Sequence, residues 1–202
     1  MRTSRVLHVG ADCQGHELPP HYRGWERVCF DINPREDADY VGDVRNMAAI
    51  DDLTYDAVFL NRVLELFHPW EVPQIVREAA RVTKFGGFVE ARVPDADAIF
   101  RAVIDGHPVD APLAHSDDGP LTPQNLIYGR IGRTRNAASF MAHRVLFTSE
   151  VLRRELRAAG LRVELDGACT DAAYHCFAIG RKTEGDNKDS IEQLLESVTE
   201  LV

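Results

Sequence analysis

The chain has 202 residues, 45% of them hydrophobic and 27% charged, with a net charge of -9. That length supports one domain with a substantial core, and the composition excludes a disordered or fibrous chain. The acidic balance argues against nucleic acid as partner, because gripping a phosphate backbone calls for a basic face and only Arg130, Arg133 and Arg135 form a local cluster.

Residues 5–10 read as a short buried strand. The stretch after Gly15 is interrupted by Pro19 and Pro20 and predicts a short or irregular helix. Residues 27–32 predict a second strand, and Tyr40-Val41-Gly42-Asp43 a third, very short one with its exit loop. Asn46 to Leu53 predicts a short helix, and Tyr55 to Asn61 a fourth strand ending in a polar residue. From Glu71 to Val82 the apolar residues Val72, Ile75, Val76, Ala79, Ala80 and Val82 recur at helical spacing, with Gly86-Gly87 as the terminator. Phe88 to Val93 predicts a fifth strand closed by Pro94, and Asp95 to Ile104 a further helix. Strands alternating with helices imply a mostly parallel sheet, doubly wound in an α/β fold.

Residues 106–142 break the pattern. Pro108, Pro112, Pro120, Pro123 and several glycines predict an element-poor segment, a lid or insertion. A helix from Ser149 to Ala159 follows, with Thr148 as N-cap and Gly160 as C-cap, then strands over Leu161–Leu165 and Tyr174–Ile179. The domain is thus expected over 1–181. Residues 182–202 read as a charged linker and an amphipathic helix, with Ser190 to Gln193 resembling a capping box. Two readings stand for that helix: packing on its own domain, or docking a second subunit or partner through 190–202.

Cys13, Cys29, Cys169 and Cys176 show no C-x-x-C spacing; Cys29 and Cys176 lie in apolar runs and are expected as buried free thiols. No metal site is predicted. The absence of a signal-peptide core and of any run near ~20 apolar residues predicts a cytoplasmic protein with no membrane partner.

The most informative run is Val6-Leu7-His8-Val9-Gly10-Ala11-Asp12-Cys13-Gln14-Gly15, followed by Cys29-Phe30-Asp31. It has the order of a strand, a tight turn, a helix start, and a second strand ending in a carboxylate that can grip a ribose. Asp12 stands where a dinucleotide fingerprint has its middle glycine. A carboxylate ~4 Å from a phosphate costs on the order of 4 kcal/mol at an effective dielectric near 20. NAD and FAD are therefore disfavoured, and with them an oxidoreductase. S-adenosylmethionine, which carries a sulfonium and an ammonium but no phosphate, suits the same carboxylate. Asp31 lies 21 positions beyond Gly10, the spacing of a ribose ligand. Asp43 can accept from an adenine amine while the Val44 backbone meets the ring edge. Asn61 and Arg62 leave the fourth strand where ligands of open parallel sheets sit. The bland alternatives are turn-shaping glycines and helix caps.

At these residues the chain resembles the class I S-adenosylmethionine-dependent methyltransferases, small single-domain members. The matching segments are Val63-Leu64-Glu65-Leu66-Phe67-His68 for a Leu-Glu-His-Leu exit and Arg81 to Phe88 for a Leu-Lys-Pro-Gly-Gly turn. Tyr128-Gly129 and His143 to Thr148 resemble the family's lid and the start of its last helix. The resemblance covers residues 4–181. It implies a Rossmann-like seven-stranded sheet with the last strand antiparallel, and cofactor contacts at Gly10, Ala11, Asp12, Gly15, Asp31, Ile32, Asp43, Val44 and Asn61. The chain departs from the pattern at Asp12, at Leu66 (histidine in the family) and at Phe85 (proline in the family).

Methyl transfer is an in-line displacement in which alignment and exclusion of water carry most of the catalysis. A hydroxyl acceptor also needs a base. His143, which borders the lid, is the first candidate, His68 the second, and Tyr128 can orient the acceptor, expected to be a small or saccharide-like molecule. The alternative is a catalytically silent homologue that binds a partner.

Overall fold

Apolar runs rich in Val, Leu and Phe form the central strands, as their burial on both faces requires. The computed structural model describes residues 2–10, 18–34, 38–116, 119–129 and 141–184. The strands are β1 (Arg5–Val9), β2 (Glu26–Asp31), β3 (Tyr40–Val41), β4 (Tyr55–Asn61), β5 (Thr83–Pro94), β6 (Ala114–Ser116), β7 (Gly119–Leu121), β8 (Arg162–Ala168) and β9 (His175–Arg181). The helices are α1 (Val72–Val82), α2 (Ala96–Ile104), α3 (Pro123–Tyr128) and α4 (Ser149–Ala158), with 3-10 turns at Pro20–Tyr22 and Leu64–Leu66. Seven strands make one sheet in the order β3-β2-β1-β4-β5-β9-β8. The β1, β2, β3, β4 and β5 pairings are parallel, and β9 runs antiparallel to both β5 and β8. This is the expected Rossmann-like sheet with its last strand reversed. The order turns back between β1 and β4, which makes their exits the switch point where ligands of such sheets lie.

One face carries the main core. Leu7, Val9, Val58, Leu60, Val89, Ala91 and Val93 point there and pack against Ile75, Val76 and Ala79 of α1 and Leu152 and Leu156 of α4. Thr148 caps α4 as expected, its Oγ1 accepting from Val151 N–H at 3.3 Å. On the other face Tyr22, with Leu18 and Trp25, covers Val6, Ala57 and Phe59. There Glu90 is fully buried. His21 Nε2 and Arg92 Nε donate to its two oxygens, each at 2.8 Å, and Arg92 Nη1 also donates to Asp171. These donors hold the Glu90 carboxyl below its ordinary range although burial alone would raise it. Further along that face, β9 and β8 leave Phe177 and Ile179 partly exposed and Leu165 exposed.

Four expectations are corrected. Residues 46–53 form consecutive turns rather than a helix. The reason lies in α1: Arg81 Nη2 and Nη1 donate to the carbonyls of Met47 and Ile50, and Met47 N–H donates to Glu78. Backbone groups that would bond along a helix are satisfied from outside it. Secondly, Gly86-Gly87 does not end α1; the helix stops at Val82 and β5 begins at Thr83. A Cβ on Gly87 would lie 2.6 Å from Asp56 O, so the glycine lets β4 approach where the β4–β5 register shifts. Thirdly, the described part of 106–142 holds a short hairpin and a short helix. The β6–β7 hairpin and α3 pack Leu121 and Leu126 on Ile99 of α2, and Pro123 sits in the first turn of α3 behind its Thr122 cap, where proline is tolerated. Finally, Cys29 is disulfide-bonded, while Cys169 and Cys176 are free. Residue spacing alone does not report that bond. The 190–202 helix and Cys13 lie outside the described residues.

Candidate active site

The site is built from strand exits. β1 leads into Gly10, whose φ of 113° suits glycine and whose N–H donates to Phe30 O at 3.2 Å. A Cβ there would stand 2.2 Å from Val63 Cγ2 and 2.7 Å from Asn61 O. The first and fourth exits therefore touch, and no side chain fits between them. Gly10→Ala is expected to cost about 3 kcal/mol, from a strained φ and a clash against backbone. A fall of several degrees in the thermal midpoint checks it, and an unchanged melt refutes the close approach.

Asp31 closes β2. It is buried, and its Oδ1 accepts from Asn33 N–H at 2.8 Å. Among the described residues no hydrogen bond engages Oδ2, so that oxygen is free for a ribose hydroxyl. Ile32, beside it, is exposed. Asp43 follows β3, and its carboxylate accepts from the Arg45 N–H and from Arg45 Nε. Arg45 holds the Asp43 carboxyl below the usual range. Arg45 also pairs with Glu71, whose Oε2 accepts from His68 N–H at 2.9 Å. His68 stacks on Trp70 with ring centroids 4.5 Å apart. The structure thus ties His68 to the Asp43 side, and Val44 is buried beside it. Asn61 ends β4 as predicted. Ala11, Asp12 and Gly15 lie outside the described residues.

A second set of groups gathers past β4 and β5. Arg62 and Tyr174 both hold left-handed backbone, with φ of 54° and 59°, on either side of the β5 exit. Such conformations in residues other than glycine are uncommon and concentrate at functional sites. His143 N–H donates to Tyr128 O at 3.3 Å, and its Nδ1–H donates to Leu126 O at 3.0 Å. A carbonyl can only accept, so Nδ1 carries the proton and Nε2 presents the lone pair. Burial, with help from the Arg62 charge, lowers the His143 pKa. Burial likewise lowers His175, to about 4. Tyr128 is exposed at the end of α3.

Glu65 belongs to this set, and sequence reasoning passed over it. Its signal was an acid inside the apolar run Val63 to Phe67. It is buried, and among the described residues its Oε2 finds no hydrogen-bond partner. Burial raises its pKa to about 7, against an ordinary 4.5. Glu65 O accepts from Arg144 N–H at 2.7 Å, which fastens the segment carrying His143 to the β4 exit. A folded-state pKa above the unfolded one gives stability that is complete below pH 4.5 and lost as pH rises towards 7. The loss is about 3 kcal/mol. Glu65→Gln is expected to abolish that slope in urea midpoints measured from pH 4.5 to 7.5, and to be the more stable protein at the upper end. A parallel pH dependence in both would show that Glu65 is ionised when folded.

Strand-exit carboxylates at the switch point, beside a half-buried histidine, are the kind of site that open α/β sheets offer to a nucleotide-type ligand. Residues 13–90 match the family model described as a methyltransferase domain. Among curated proteins no sequence match is found. A solved protein from Pyrococcus horikoshii is 17% identical, with a TM-score of 0.60 over 90% of this chain and 83% of its own. A S-adenosylmethionine-dependent methyltransferase from Methanosarcina mazei is 15% identical, with a TM-score of 0.56 over 91% and 94%. The 1,6-didemethyltoxoflavin N1-methyltransferase of Burkholderia thailandensis, solved with that substrate and S-adenosylhomocysteine, is 17% identical, with a TM-score of 0.56 over 91% and 72%. The fold is thus that of solved S-adenosylmethionine-dependent methyltransferases, and residues 13–90 are similar to a methyltransferase domain. Two features of the site fit S-adenosylmethionine: the side-chain-free approach at Gly10 and the open Asp31 oxygen.

Proposed function

We propose that the protein transfers a methyl group from S-adenosylmethionine to a small or saccharide-like acceptor. The observation that carries this reading is His143, half-buried, neutral and presenting Nε2, pinned between the lid helix α3 and the β4 exit. The bound cofactor supplies a methyl carbon already activated by cationic sulfur. The chain's task is then to place the acceptor and manage its proton. Gly10, Ala11, Asp12, Gly15, Asp31, Ile32, Asp43, Val44 and Asn61 hold the cofactor, with Asp31 accepting from the ribose. His143 takes the acceptor proton at Nε2, and Tyr128 orients the acceptor from the end of α3. His68, fastened to the Asp43 side through Glu71, is the second candidate base.

Among the described residues no helix is long and apolar enough to cross a membrane. The free Cys169 and Cys176 thiols suit the cytoplasmic location expected from the sequence, and the bonded Cys29 does not support it. Calorimetric titration with S-adenosylmethionine and with NAD tests the reading. Micromolar binding of the first alone supports it. Binding of neither supports the silent homologue, and binding of NAD overturns both.

A further inference from the structure

The turn at Tyr174 fixes a second imidazole beside that of His143. Tyr174 holds its left-handed backbone inside a tight turn, in which Ala172 O accepts from His175 N–H at 3.2 Å. Tyr174 O accepts from Asp95 N–H at 2.9 Å, and His175 pairs with Pro94 across the β5–β9 ladder. The start of β9 is therefore tied to the β5 exit. The segment that follows His143 reaches the same exit: Phe147 bridges to Asp95, and its carbonyl accepts from Ala96 N–H at 2.8 Å. Tyr174 also packs on the cluster of Ile99, Leu121 and Leu126, and Leu126 O is the acceptor for His143.

The two histidines are set alike. His175 Nδ1–H donates to Ala173 O at 2.9 Å, as His143 Nδ1–H does to Leu126 O. Both rings thus carry their proton on Nδ1 and keep a lone pair on Nε2. Among the described residues neither Nε2 has a hydrogen-bond partner. His175 is buried, and a buried acceptor left without a donor is uncommon in a folded protein. The charges of Arg62 and His143 act on His175, and that of Arg62 acts on His143, so the groups share one neighbourhood.

Those surroundings select a ligand. Among the described residues no three histidine, cysteine or carboxylate side chains gather as metal ligands. Arg62 repels an ammonium, and a carboxylate or phosphate brings no proton to either lone pair. Burial lowers the His175 pKa to about 4, so near neutrality its Nε2 only accepts. What fits is a neutral molecule with two adjacent O–H donors.

We infer that His143 and His175 together grip two neighbouring hydroxyls of the acceptor, one on each Nε2, so that the acceptor is a vicinal diol of the kind saccharides carry. His175 is then a substrate-contacting residue that sets specificity. The role of the bound diol as methyl acceptor rests on the reading under Proposed function; its binding does not.

The test is binding by the full chain without cofactor, with the histidines labelled with nitrogen-15 and with cis-1,2-cyclohexanediol and cyclohexanol as probes. Near neutral pH both imidazoles are expected to show a protonated Nδ1 and a bare Nε2. The diol is expected to move both Nε2 resonances and to bind about two- to tenfold more tightly than cyclohexanol, the factor one further neutral hydrogen bond supplies. His175→Asn keeps a donor for Ala173 O and has no Nε2. It is expected to erase that preference while cyclohexanol affinity and the thermal midpoint hold. In the parent protein alone, three results each overturn the inference: a protonated Nε2 on His175, equal affinity for the two probes, or a diol that moves neither Nε2 or only one. A preference that survives in His175→Asn does so as well. Calorimetric titration of the same samples with S-adenosylmethionine keeps the two readings apart. A diol preference without cofactor binding leaves the diol site standing and removes the methyltransferase, and cofactor binding without a diol preference does the reverse.

Discussion

Asp31→Ala is expected to weaken S-adenosylmethionine binding by about 100-fold or more in calorimetric titration. Hydrogen bonds to a charged group contribute ~1.5–3 kcal/mol each. Two ribose hydroxyls on one carboxylate therefore exceed the ~2.7 kcal/mol that a hundredfold change represents. The carboxylate is set for the task by its surroundings: it ends a buried strand, and Oδ1 is aimed by the Asn33 N–H while Oδ2 remains open. Asp31→Asn keeps an acceptor for Asn33 and should fall between parent and Ala. If Ala binds as tightly as the parent, the ribose contact is wrong and the cofactor lies elsewhere.

His143→Ala is expected to lower turnover by ~10²–10⁴-fold, the usual contribution of a positioned base. Transfer of labelled methyl to a panel of hydroxyl and amine acceptors measures it. Alanine also removes the tie to Leu126 O, so a second variant separates the two roles. His143→Asn keeps an N–H donor near the Nδ1 position and supplies no basic nitrogen. Equal losses in the two variants mark a base; activity retained in Asn marks a positioning residue. The pH profile gives an independent reading. Because burial lowers the His143 pKa below its ordinary 6.5, parent kcat/KM should be level at neutral pH and fall only below that value. That acid limb should vanish in both variants. A parent limb centred above 6.5 would exclude His143 as the base.

Much of the sheet was legible because its strands are buried on both faces and read as unbroken apolar runs. β4 keeps its predicted limits, and β1, β2, β8 and β9 lie within a few residues of theirs. The reversed last strand followed from family resemblance, not from residue pattern. What escaped reading depends on partners distant in sequence. Residues 46–53 have helical composition, but their backbone groups bond Arg81 and Glu78, some 30 positions on. The 114–121 hairpin holds two three-residue strands with a proline in one, too short for periodicity to register. The Cys29 disulfide left no trace in spacing. The strand-exit positions of Gly10, Asp31 and Asn61 were legible because glycine and polar residues at the ends of apolar runs mark such exits. Glu65 and His175 were missed, since a polar residue inside an apolar run reads first as tolerated burial. Their significance shows only when Arg62, His143 and the β5 exit come together.

The clamp of Arg81 and Glu78 on residues 47–50 bears on ligand affinity. The loop carrying Asp43 and Val44 hangs from a rigid helix rather than from solvent-facing turns. Its conformational entropy is surrendered during folding, so on the proposed reading an adenine meets a preorganised wall. Binding energy there goes into holding the ligand rather than into ordering the protein.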